Sequence, residues 1–92
     1  MTQAELRGLL ADALALWGVA GRVAADGGGV AVLVAGARCE VAPADAALRP
    51  VRWFVTTPER AGRAAASVAG VLGVVRAWAE DALRAASGAA AP

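Results

Sequence analysis

Four arginines, Arg49, Arg52, Arg60 and Arg63, fall within fifteen residues, and with them come Trp53, the single Phe54 and the run Thr57-Pro58-Glu59. No other stretch holds as many side chains able to grip a ligand or a partner. Thr57 as a cap, Pro58 at the first helical position and Glu59 in the first turn read as a helix start. On that reading Arg60 and Arg63 stand in the first two turns, near free backbone amides and the positive end of the helix dipole. Arg52, Arg60 and Arg63 are then expected to line a site for a small anion or phosphate, partly neutralised by Glu59.

Other chemistries are excluded by what is missing. All nine basic residues are Arg, and His, Lys, Tyr, Asn and Ile are absent. The codon bias of a GC-rich bacterial genome is the expected cause of this usage. Without His there is no Ser-His or Cys-His nucleophile pair and no imidazole ligand or base. Without Lys there is no Schiff base and no P-loop lysine. Glu80 and Asp81 are adjacent and diverge by about 100° on a helix. Asp26 and Asp45 lie in turns or loops, so no acid pair and no metal-ligand set is placed by local structure. The chain is expected to be no enzyme and to need no metal or cofactor.

A net charge of +1 gives no field to steer the molecule onto nucleic acid or an acidic membrane. Cys39 alone forms no internal disulfide and fits a reducing compartment. It alternates with Val41, which makes it a small buried hydrophobe, while Arg38 and Glu40 point the other way. Glu5 and Asp12 among the first leucines do not read as a signal peptide. The uncharged stretch Ala64 to Val75 is too short to cross a bilayer. The expected setting is cytoplasmic.

The elements that must position these residues read in order. Thr2 and Glu5 have capping-box spacing, and Leu6, Leu9, Leu10, Ala13, Leu14 and Trp17 form one helical stripe that Gly18 ends. From Val19 the period becomes two. Asp26-Gly27-Gly28-Gly29 sits between alternating runs as a hairpin signal. It lacks the Gly-Lys-Ser/Thr of a phosphate loop and leads into a strand. Gly36 marks a second tight turn or a bulge, and Arg38 to Val41 makes a third strand or continues the second. Pro43 to Leu48 connects, with room for one helical turn, and Val51 to Thr56 is a strand after Pro50. A long helix is expected from Pro58, with Ala61, Ala64, Ala65, Val68, Val71, Leu72, Val75 and Trp78 on its apolar stripe, fading near Ser87-Gly88. Gly70 and Gly73 inside it suggest close approach by another element.

The sum is one α+β domain over 1–87, with a frayed tail at 88–92. An antiparallel sheet of three to four strands is bracketed by an N-terminal and a long C-terminal helix, in the order α-β-β-(β)-β-α. Trp17, Trp53 and Trp78 are expected to converge between helices and sheet. Of 54 apolar residues 27 are Ala, a thin core for the length that favours cover from another chain. If the valines face the helices, Ala31, Leu33, Ala35 and Phe54 face away, where a wet sheet face should be polar. Leu33 and Phe54 then form an apolar centre rimmed by Arg38, Glu40 and Arg52, a composition suited to a protein partner, self or another chain. Helices on opposite faces would instead make both sides core. The sheet lacks paired exposed aromatics for base stacking, which argues against nucleic acid.

Overall fold

A computed structural model describes residues 1–90, with side chains through residue 88. The first helix, α1 (Gln3–Leu16), has the expected capping box: the Glu5 amide donates to Thr2 Oγ1 at 3.1 Å and the Thr2 amide to Glu5 Oε1 at 2.9 Å. The bond from the Thr2 amide is the chief cause that holds the Glu5 carboxyl below its ordinary pKa. Gly18, with φ of 68°, ends the helix as the Val19 amide donates to the Leu14 carbonyl, the Schellman pattern.

Five strands follow, β1 (Gly21–Asp26), β2 (Gly29–Val34), β3 (Ala37–Pro43), β4 (Trp53–Thr57) and β5 (Arg60–Ala65), in one antiparallel meander ordered as in the chain. The β1–β2 hairpin pairs Asp26 with Gly29 across Gly27-Gly28. Gly36 is part of a tight turn, and Arg38 to Val41 belongs to a separate third strand. A 3-10 turn, Ala46–Leu48, is capped by the Asp45 carboxylate.

The last helix, α2 (Val68–Ala90), departs from expectation at both ends. Thr57-Pro58-Glu59-Arg60 is a hairpin turn, with Thr57 paired to Arg60, and β5 occupies the first turns of the expected helix. The sheet therefore has five strands instead of three to four. Proline suits the second position of a β-turn as well as a helix start, and Gly62 takes a φ of 60° at a bulge where β5 slips against β4. Ser67 is the true cap, its Oγ accepting from the Gly70 amide at 3.1 Å. At the other end Ser87-Gly88 does not stop the helix, which runs to Ala90; residues 91–92 of the expected tail lie outside those described. On the exposed side of α2, Arg76 and Glu80, four residues apart, form an ion pair at 3.4 Å, and Arg84 pairs with Asp81. Gly70 packs near Ala65, whereas among the described residues a Cβ on Gly73 would meet nothing within 4 Å.

Leu6, Leu10 and Leu14 of α1 and Val71, Val75 and Trp78 of α2 share one core cluster with Val30, Val32, Val34, Val41, Trp53 and Val55. Both helices thus lie on the same sheet face. Both also start from the same end: Gln3 Nε2 donates to the Gly27 and Gly29 carbonyls, and Gly70 adjoins Ala65. Trp53 and Trp78 are buried; Trp17 is half-buried, with the Arg76 guanidinium 5.6 Å from its ring centre. At 23 residues α2 is about 34 Å long and overhangs the sheet, which fits a longest dimension of 49 Å. Among the described residues no helix is long and apolar enough to cross a membrane.

The β2–β3 turn is strained. Ala35 has φ of 50° and Gly36 of 81°, both in the left-handed region that costs a residue with a Cβ about 1–2 kcal/mol. Asn tolerates this region and Asn-Gly is the favoured pair for such a turn. Ala35→Asn is expected to raise the unfolding free energy by about 1 kcal/mol, read from the urea midpoint at unchanged slope.

Candidate functional site

Register decides which side chains share the uncovered face. Val32 opposes Cys39 and Val41 opposes Val55 on the helix side, so Arg22, Leu33 and Arg38 form one outer row. Ala24, Ala31, Glu40 and Thr56 form the next, and Ala42, Phe54 and Ala64 a third. Arg52 directly precedes β4, outside the paired register. Of the five expected residues, register puts Leu33, Arg38, Glu40 and Phe54 on this face.

Their arrangement there differs from an apolar centre with a charged rim. Arg38 donates to Asp26 at 2.9 Å and to Glu40 at 3.3 Å. Since Asp26 is on β1 and Arg38 on β3, the guanidinium crosses β2, and Ala31 beneath it is only 2% exposed despite having no helix above it. The charges bridge the middle of the first three strands. Leu33 and Phe54, both half-buried, are two strands and four residues apart, on the order of 15 Å between Cα atoms. The sequence pattern assigns each residue to a face, but a salt bridge spanning three strands depends on register and twist, which it does not carry. The continuous apolar part is Ala42, Phe54 and Ala64, with Thr56 beside it.

The arginine cluster is also divided. Arg60 and Arg63 are on β5, away from the start of α2, so no helix N-terminus backs them. Arg52 is at the opposite end of β4, its amide donating to the Ala65 carbonyl; it lies with Arg49, Ser67 and Val68. A single site lined by Arg52, Arg60 and Arg63 is therefore not formed. Instead Arg60 and Arg63 border a cleft of about 310 Å³ between the β4–β5 hairpin and α2, whose walls include Val55, Val74, Ala77 and Trp78 and whose mouth carries Thr57, Glu59 and Asp81. Sequence reading missed the α2 side of this cleft. Residues 74, 77, 78 and 81 share one helical stripe, but without β5 as a strand nothing faces them.

Cys39 is fully buried. Burial, with a smaller effect of the Glu40 charge, pushes its thiol up to about 12, so the native thiol stays neutral and unreactive at ordinary pH. Labelling by a thiol reagent at pH 8 is expected to be slow in the native state and rapid in denaturant; fast native labelling would contradict the buried position. Among the described residues no three Cys, Asp or Glu gather as metal ligands. No family model, curated protein or solved structure matches the chain.

Proposed function

We propose that the chain is a small non-catalytic interaction module, of a cytoplasmic setting, that pairs with a second copy of itself through the outer face of its sheet. One observation carries the reading. Both helices pack on the same face, leaving an antiparallel sheet whose other face bears Ala24, Leu33, Ala42, Phe54 and Ala64 among Arg22, Asp26, Arg38, Glu40 and Thr56, more apolar surface than a wet face needs. Phe54, flanked across the strands by Ala42 and Ala64, supplies the anchor, with Leu33 at the far corner. Arg22 and Arg52 have no ion pair among the described residues. Each can meet carboxylate oxygens of the other copy's Asp26–Arg38–Glu40 bridge, which fixes the relative orientation.

The face measures roughly 19 Å across the strands and roughly 18 Å along them. Over two copies that footprint is about 700 Å², below the roughly 1,200 Å² of a stable specific interface, so the pairing is a weak, concentration-dependent equilibrium and not an obligate dimer. Light scattering over a concentration series tests this: the mass should rise from that of one 9.1 kDa chain towards twice that value. A constant single-chain mass at the highest concentrations contradicts self-pairing.

A further inference from the structure

The cleft between α2 and the edge strand β5 is on the other side of the sheet from the pairing face, and it combines three features. First, α2 does not cover β5: of that strand only Ala65 is buried, so Arg63, on the helix side opposite Val55, borders open space. Second, the free charges there are unbalanced. Arg60 and Arg63 form no ion pair among the described residues, and neither does Glu59, whereas Asp81 is paired with Arg84. Two guanidinium groups thus face one uncommitted carboxylate. Third, Trp78, a wall of the cleft, is 6% exposed and its indole Nε1 has no hydrogen-bond partner among the described residues.

We propose that this cleft binds a small amphipathic anion, an apolar carboxylate of drug-fragment size. Its hydrocarbon part lies against Val55, Val74 and Trp78, and its carboxylate pairs with Arg60 and Arg63. The volume of about 310 Å³ is at the lower end for small-molecule sites. The apolar walls give an inorganic anion no advantage, and the two guanidiniums disfavour an amine. Arginine matches a carboxylate with paired donors.

Three tryptophans give three indole N–H signals in a proton–nitrogen correlation spectrum, and Trp78→Phe identifies the signal of Trp78. Titration with 3-phenylpropionate is expected to shift that signal saturably, with a dissociation constant below about 1 mM. Acetate, which has the charge without the body, and 3-phenylpropanol, which has the body without the charge, should each bind at least about tenfold more weakly. Arg60→Gln with Arg63→Gln, on an exposed strand and turn, should lose affinity by about tenfold or more without losing the fold. Equal affinity for the alcohol, no loss in the arginine variant, or no saturable shift with the carboxylate each overturns the proposal. A variant of the pairing face, Phe54→Asp, should bind 3-phenylpropionate as the wild type does, so the two readings stand or fall separately.

Discussion

Trp53→Ala is expected to lower the unfolding free energy by about 3–5 kcal/mol, while Phe54→Ala, one residue on, costs a monomer about 1 kcal/mol. The two aromatics are neighbours in sequence and sit on opposite faces of one strand. Trp53 is 9% exposed, lies between its cross-strand partners Pro43 and Ala65, and belongs to the cluster that joins both helices to the sheet. Removing the indole leaves a cavity that the fixed backbone of three strands cannot close. Small domains have unfolding free energies of about 5–15 kcal/mol, so the Trp53 variant is expected to be largely unfolded on modest warming. Urea unfolding followed by circular dichroism measures both; equal losses at the two positions would mean that both faces are core.

Gly29→Ala is the second large effect, at about 3 kcal/mol or more. A Cβ built on Gly29 would stand 2.1 Å from the Val41 carbonyl oxygen and 2.9 Å from Ala42 Cα. Both are backbone atoms of β3, so no rotamer change relieves the clash and the strand itself must move. That movement would also disturb the Gly29 carbonyl that accepts from Gln3 Nε2 at 2.7 Å, one of the two bonds by which Gln3 ties α1 to the hairpin. Gly28→Ala is the internal control. Nothing lies within 4 Å of a Cβ there, and its effect should be small. A neutral Gly29→Ala would show that β2 and β3 do not meet in this register.

Local signals made the first half of the fold legible. The Thr2–Glu5 box, Gly18, the Asp-Gly hairpin and the alternating valines each specify a local conformation that packing then confirms. The same reasoning failed at Thr57 to Ser67 because two local solutions compete there. Thr-Pro-Glu caps a helix or turns a hairpin, and the Ala and Arg of β5 are good helix formers with no β-branched residue among them. Pairing with β4 decides for the strand, a tertiary effect. The discriminating signals were present in Gly62, which is poor in a helix interior, and in Ser67 directly before the Val68, Val71, Val75 stripe. For the candidate site, alternation assigned Leu33, Phe54, Arg52, Arg38 and Glu40 to one face. Their separation and the Arg38 bridge over Ala31 depend on pairing register, which local pattern leaves free.

The pairing face is the central claim, and sedimentation velocity of Phe54→Asp beside the wild type tests it most directly. In an isologous contact the new carboxylate is placed twice in one buried patch, against Ala42, Ala64 and the partner's own surface. The expected result is a wild type that moves from monomer to dimer over the concentration series. The variant should stay monomeric throughout, with native circular dichroism and an unshifted tryptophan emission, and Arg52→Ala at the margin should weaken pairing far less. A folded Phe54→Asp that still dimerises with wild-type affinity would contradict the claim.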